Sequence, residues 1–470
     1  MPSNVGRIAG LISGETEPDA TSTSRRRPTK MLRIYDVKTA SQTILRRGPV
    51  GQGPIHSAAL ESLGRIFGQG VSPEEAVTRI LASVRDEGDE ALKHWSKTLD
   101  QVELADLRIP QAALTEAYRR LPAALQEAMQ EAAKRIRAFH ERQPLRSWST
   151  EDLGGKLGQR HTPIRRVGIY APGGSAPLPS SLMMTVIPAQ VAGVEQLVVC
   201  SPPRPHEGIL AAAHICGLET IYQIGGAQAI AAMAFGTESV PRVDKVVGAG
   251  NLFVTMAKQQ LYGVIGIDGL AGPTETLVIA DATANPTWLA ADLMAQAEHD
   301  PMASAILITP DRSLAHSVQA EVARQIEHLS RSEIIAQSLS LRGGIVLTQD
   351  LETAASIADD YAPEHLCLSV EEPGLLADRI HNAGGIFLGE RSFEVLGDYI
   401  AGPSHIMPTE GTARFASPLN VDDFVKITSW FEFDRETSAT LSGLAAELAR
   451  AETLTAHAAA AELRLEDQDV

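Results

Sequence analysis

The sequence predicts an α/β protein with two parallel-sheet units, a helical region before them and a small tail after them. Three observations lead there. From residue 163 onward, short β-branched runs alternate with helical patterns; the runs are almost wholly apolar; and they fall into two series. Strands covered by helices on both faces have this texture, because a parallel sheet needs crossover connections that bury it. The first series is 167–170, 196–200, 221–224 and 244–247, and the second is 276–280, 305–309, 344–348 and 385–388.

Before these units, residues 70–142 read as helix. Ser72 caps a helix opened by Pro73-Glu74-Glu75, and 112–142 carries an apolar stripe at spacings of three and four. After residue 388 the strands stop. Residues 389–430 are rich in Gly and Pro, and 436–465 return to a helical pattern.

Bulk composition narrows the function. A net charge of −17 over 470 residues disfavours nucleic acid and anionic membranes as partners, since phosphate needs clustered Lys and Arg. Three scattered cysteines, with no Cys-x-x-Cys, exclude a disulfide framework and suit a reducing compartment. No apolar run approaches the roughly 20 residues that span a bilayer. Residues 1–30 are polar and lack a signal peptide's apolar stretch, so they read as a disordered tail, with Met31 as an alternative start and the cytoplasm as the expected location.

Four groups of residues offer chemistry. Gln296 and His299 lie three apart after an Asn285-Pro286 helix start, so they share a face and offer an amide oxygen and an imidazole to a divalent metal. A helix-end histidine bonded to a carbonyl explains the same residues. Glu364-His365 pairs two groups that move protons near neutrality, yet in an extended segment they point apart unless the backbone turns near Pro363. Solvated charges at a helix cap are the plainer reading. Asp398 follows Gly397 in the loop-rich stretch, with His405 just beyond, and an Asp after Gly is ordinarily a turn residue. Glu452 and His457, five apart, diverge by roughly 140° on an unbroken helix, so they converge only if the chain breaks, with Thr455 as a new cap. Three Gly-rich stretches, at 171–175, 225–228 and 248–251, follow predicted strands, where an open α/β sheet binds ligands. None is G-x-G-x-x-G, so the residues themselves do not specify a dinucleotide.

The longer motifs are RVGIYAPGGSAPLPSSL (166–182), VEQLVVCSPPR (194–204), IGGAQAIAAMAFGTE (224–238), VDKVVGAGN (243–251), IDGLAGPTE (267–275), ADLMAQAEHD (291–300), YAPEHL (361–366), LGDYIAGPSHIMPTEGTARF (396–415) and ETLTAH (452–457). In this order they resemble the histidinol dehydrogenase family, over residues 70–465. The resemblance implies a homodimer of two Rossmann-like domains lacking the glycine fingerprint. It divides the chain into a tail (1–30), a helical region (31–162), a first Rossmann-like domain with the NAD loops (163–273), a second with the zinc and acid–base residues (274–414), and a C-terminal tail (415–470) serving the partner's site.

The resemblance further implies one Zn2+ per subunit on Gln296, His299, Asp398 and His457, the last reaching across from the other subunit. Glu364 and His365 fall on the catalytic acid–base pair, Tyr170, Gln228 and Asn251 on NAD-contacting positions, and Thr274 and Glu452 on substrate-contacting positions. Gln296, His299, His365, Asp398 and His457 also face the substrate. The implied activity is oxidation of L-histidinol to L-histidine through the aldehyde in two NAD-dependent steps, the last of histidine biosynthesis. Two departures stand out: Thr274 where the family usually has Ser, and Ala249 in place of a proline. Dehydrogenases on the same scaffold that oxidise another alcohol, such as a sulfonated propanediol, are the nearest alternative. A zinc hydrolase using Glu364 as general base differs in class, and four protein ligands leave it no open position for water. Metal sequestration needs no proton-transfer pair.

Overall fold

The computed structural model describes residues 31–48, 57–173 and 177–466. The expected tail at 1–30 and the end of the first Gly-rich stretch, 174–175, lie outside them.

Two six-stranded sheets dominate. One runs, in spatial order, Arg108–Pro110, Thr220–Gln223, Gln196–Ser201, Arg166–Tyr170, Lys245–Val247 and Gly266–Ile267. It is parallel apart from the edge strand Arg108–Pro110. The other runs Ile34–Asp36, Gly344–Leu347, Ser304–Thr309, Glu275–Ala280, His365–Ser369 and Gly385–Leu388, parallel throughout. All eight expected strands are present, each within a residue or so of its expected bounds.

The central strands are apolar because both faces are covered. In the first sheet, Pro73–Glu87 and Asp89–Leu99 place Val77, Val84 and Leu92 in one core with Tyr170, Ile224 and Ile230. On the opposite face, Ile136 of Ala123–His140 joins Val167, Ile169 and Met184. Each buried Leu, Ile or Val contributes roughly 1.5–3 kcal/mol through burial alone. The Ser72 cap forms as expected, its side chain accepting from the Glu75 N–H with Pro73 opening the helix.

The structure adds strands to the sequence reading. Ile34–Asp36 sits on the edge of the second sheet, so the chain enters through that sheet before its helices cover the first. His365–Ser369 is a central strand, although His-Leu-Cys-Leu-Ser is too short to have shown a period. The tail, expected to lack strands, contains Val425–Glu432, which pairs antiparallel with Lys156–Pro163 and carries Trp148–Thr150 on the far side. Most of its side chains are exposed, so no apolar alternation betrayed it. The C-terminal helices are Arg435–Ala451 and Thr455–Glu466, and the break between them, with Thr453 at φ 63°, lies where Glu452 and His457 required one.

Candidate functional site

A cleft of about 840 Å3 lies between the sheets. Gly248 and Ala249 enter it from the C-terminal end of a first-sheet strand, and Glu364 and His365 from the N-terminal end of a second-sheet strand. Only the first sheet therefore offers the cleft its usual ligand-binding end.

Glu364 and His365 are 6 % and 3 % exposed. The turn that sets them lies just ahead: Ala362 closes the Leu351–Tyr361 helix in the left-handed region at φ 51°. From there both side chains bracket the first residues of the neighbouring strand Glu275–Ala280. Glu364 Oε2 accepts from the Thr274 hydroxyl at 2.6 Å and from the Glu275 N–H at 2.9 Å. His365 Nδ1 lies 2.9 Å from the Glu275 carbonyl, which can only accept, so Nδ1 carries the proton and Nε2 is the basic nitrogen of the neutral ring. Nε2 is buried without a hydrogen-bond partner, and Asp398 Oδ1 stands 3.7 Å away. In the neutral ring this nitrogen presents a lone pair at the cleft that His365 lines.

Burial pushes the Glu364 carboxyl up to about 7, against the opposing pull of the His365 charge and the two donors. For His365, burial disfavours the charged ring, but the carboxylates of Glu394, Glu364 and Asp398 together outweigh it and raise it to about 9. Glu394 was not singled out in the sequence. It begins the Glu394–Tyr399 helix, four residues before Asp398, a spacing that puts both carboxylates on one face. Its Oε1 stands 3.9 Å from His365 Nδ1, and its Oε2 is buried without a partner. Burial raises Glu394 to about 7 as well.

Gln296 and His299 sit at the end of the Pro286–Ala297 helix, whose Asn285 cap and Pro286 start are as expected. Both line the cleft with Asp398 and Thr274. Gln296 Nε2 donates to Thr274 Oγ1 at 2.8 Å while that hydroxyl donates to Glu364. The amide is thereby oriented with Oε1 left over as a donor atom for a metal. Burial holds the His299 ring below its usual pKa, and a neutral imidazole is the form that ligates. An amide oxygen, an imidazole and a carboxylate fit zinc. Among the described residues, His365, Glu394 and Asp398 also bring one ligand-type atom each within 4.8 Å of one another, so the centre of the cleft is strongly cation-attracting. His405, noted in the sequence only for its position, is held by the Asp398 carbonyl at 2.7 Å and Ser181 Oγ at 2.7 Å.

Tyr170 ends a first-sheet strand, Gln228 lies in the first turn of Gly226–Phe235 and Asn251 precedes Leu252–Leu261; none of the three lines the cleft, which the neighbouring Gly248 and Ala249 do. The Tyr170 hydroxyl accepts from the Gly226 N–H at 3.1 Å, Gln228 is buried with Oε1 unpartnered, and Asn251 caps Leu252–Leu261 by accepting from Val254. Gly225 precedes Gly226–Phe235 and offers no side-chain cap, so apart from the Gly226 N–H, which Tyr170 holds, no capping side chain competes for the first-turn N–H groups. Gly248, at φ 111°, has room for no Cβ, because the Tyr170 carbonyl occupies that space. Ala249 forgoes proline's rigidity, but the loop is pinned otherwise: Asp268 Oδ2 accepts from the Gly248 N–H at 2.7 Å, and Lys258 Nζ, ion-paired with Asp268, donates to the Gly248 carbonyl at 3.0 Å.

Glu452 and His457 are not brought to this cleft. Both are exposed, and neither lines it.

Residues 69–465 match the histidinol dehydrogenase family. The chain is 50% identical over 411 residues to histidinol dehydrogenase of Thermus thermophilus, covering 87% of this chain and 99% of that one. It is 49% identical over 400 residues to that of Halalkalibacterium halodurans, covering 84% and 94%. The crystal structure of histidinol dehydrogenase from Elizabethkingia anophelis superposes with a TM-score of 0.86 at 34% identity, covering 94% of this chain and all of that one.

Proposed function

Because the chain belongs to the histidinol dehydrogenase family, an NAD- and zinc-dependent oxidoreductase family that converts histidinol to histidine, we propose a role for each residue of the cleft in that reaction. The observation that carries the assignment is the unpartnered His365 Nε2 beside Glu364, facing three metal-type donors.

Gln296, His299 and Asp398 would hold the zinc from this chain. Bound there, zinc would supply a docking point for the substrate's nitrogen donors. NAD would supply the hydride acceptor for both oxidations. His365 Nε2 accepts the alcohol proton as the first hydride leaves. Glu364, as a carboxylate, accepts a proton from the water that bonds to the aldehyde carbon, and His365 takes the hydrate's proton as the second hydride leaves. Alcohol, water and two NAD+ give carboxylate, two NADH and three protons. When Asp398 ligates a cation, its charge is partly spent there, which brings His365 back toward the neutral ring that can act as a base. Glu364, poised near 7, is divided between acid and base at neutral pH.

Tyr170, Gln228 and Asn251 contact NAD, with the first turn of Gly226–Phe235, whose Gly226 N–H Tyr170 holds, as the anion site for its phosphates. Thr274 orients Glu364 and Gln296 beside the substrate.

The site is completed by a second copy of the chain. His457 is the fourth ligand and Glu452 meets the substrate's ammonium or imidazole, both from the partner. Leu441, Leu444 and Leu448 support this reading: they form one stripe on the Arg435–Ala451 helix, and Leu444 and Leu448 are 64% and 69% exposed. Phe415, on the rim of the cleft, is 84% exposed. So much aligned apolar surface on the segment that bears Glu452 and His457 suits a homodimer. The protein is assigned to the cytoplasm, consistent with three buried, unpaired cysteines. No helix among the described residues is long and apolar enough to cross a membrane.

The test is NADH production from L-histidinol before and after chelation. Two NADH per histidinol, lost on chelation and regained with zinc, is the expected result. Turnover of another alcohol but not histidinol overturns the substrate.

A further inference from the structure

Arg47 lies 228 residues from Glu275 in sequence, yet the two side chains meet in a two-pronged ion pair, with Nη2 donating to Glu275 Oε2 at 2.8 Å and Nη1 to Oε1. The same guanidinium donates through Nε to the Tyr361 carbonyl at 3.1 Å, and through Nη2 to the Tyr361 and Ala362 carbonyls at 2.8 and 3.3 Å. It stacks on the Tyr361 ring, 3.5 Å from its centroid. Glu275 is 1% exposed, and it also accepts from the Glu410 N–H at 3.2 Å.

These contacts fall on the two places that set the acid–base pair. Glu275 is the residue whose N–H holds Glu364 and whose carbonyl holds His365. Tyr361–Ala362 is the left-handed turn that delivers both side chains. A single planar, five-donor group joins the start of one strand to the approach of the next. A guanidinium does this and an ammonium does not, because the fork bonds two carboxylate oxygens and two carbonyls in fixed directions.

We propose that Arg47 is a positioning residue for catalysis: through Glu275 and the Tyr361–Ala362 turn it holds Glu364 and His365 in register with each other. It touches no reacting atom. The inference rests on the assignment of Glu364 and His365 made above.

The test compares Arg47→Met, Arg47→Lys and Glu275→Gln with the parent enzyme, by steady-state NADH formation from histidinol and by zinc content. Arg47→Met keeps the packing bulk and removes the fork. Its kcat is expected to fall roughly 10- to 100-fold, in line with the cost of misplacing catalytic groups by about an ångström. The KM values for histidinol and NAD stay within about twofold, and zinc stays at the parent's stoichiometry. Arg47→Lys resembles Arg47→Met more than the parent. Glu275→Gln keeps both backbone contacts and loses several-fold in kcat; it decides the matter alone if Arg47→Met does not fold. A kcat within about twofold of the parent in Arg47→Met overturns the proposal, as does full activity of Arg47→Lys, or zinc and KM changes that track the loss of folded protein. A parent that makes no NADH from histidinol refutes the functional reading instead, so the two failures are distinguishable.

Discussion

The Thr274 hydroxyl donates to Glu364 Oε2 at 2.6 Å while it accepts from Gln296 Nε2 at 2.8 Å, so one side chain links the carboxyl proposed as acid–base group to the amide proposed as metal ligand. Thr274→Ser keeps this bridge, and its kcat/KM is expected within about threefold of the parent. Thr274→Val leaves a buried carboxylate and an amide each short of a partner, and should lose roughly 10- to 100-fold, the worth of a hydrogen bond to a charged group. Its zinc affinity should drop as well, because the Gln296 amide is free to turn. Steady-state kinetics with a zinc titration separate the two effects.

The pH dependence follows from Glu364. Burial raises its pKa to about 7, so it is protonated below that pH and cannot accept water's proton. Aldehyde oxidation should therefore fall about tenfold per pH unit on the acid side and level off above. Glu364→Gln should slow aldehyde oxidation more than alcohol oxidation and abolish that acid limb. Equal slowing of both half-reactions would remove Glu364 from the water-activating role.

The proposed sharing of the site between two copies has a mixing test. His457→Ala and Glu364→Gln homodimers are each expected to form little histidine from histidinol, the first having lost zinc. Dissociated together and reassociated, they should form mixed dimers holding one intact site each, and so regain about a quarter of parental activity. No recovery, with mixed dimers demonstrated, places His457 outside the partner's site.

The stripe on Arg435–Ala451 makes a separate prediction. Leu444→Asp with Leu448→Asp should yield monomers by sedimentation, with zinc lost from the cleft although no cleft residue has changed.

A stability prediction comes from far outside the cleft. Asp100 Oδ2 is buried without a hydrogen-bond partner, and burial raises the carboxyl to about 7. With a folded pKa above the unfolded one, the group costs nothing in acid; the cost builds as pH rises from an unfolded carboxyl's pKa of about 4 to about 7 and is constant above. Asp100→Asn should therefore stabilise the protein at pH 8, by on the order of 2 kcal/mol, and make no difference near pH 3. Urea midpoints at the two pH values check this.

How legible the molecule was depends on where each signal lies along the chain. Seven of the eight expected strands are largely buried, and covering both faces of a strand makes nearly every residue apolar; Gly385–Leu388, at a sheet edge, is apolar although Ile386 and Leu388 are exposed. His365–Ser369 escaped because its two ends are polar and only three apolar residues remain; Val425–Glu432 escaped because most of its side chains are exposed on both faces. Within the site, Gln296, His299, Glu364, His365 and Asp398 were legible through local spacing and family motifs, and the cleft gathers them. Arg47 and Glu275 were not, because their meaning lies in one contact across 228 residues and no spacing rule reaches that far. Glu394 carried a usable clue, its four-residue offset from Asp398, which a search for paired carboxylates on one helical face would find.

The bond from His365 Nδ1 to the Glu275 carbonyl has an evolutionary side. A histidine steered by a carboxylate or amide side chain can lose that partner to a single codon change. Here the acceptor is the peptide group itself, present whatever amino acid occupies position 275. Replacements there loosen or tighten the grip on the base but never remove its acceptor or invert its tautomer. The most exacting geometric requirement of the site is thus stored where point mutation cannot erase it, and genetic drift is left to act on the supports around it.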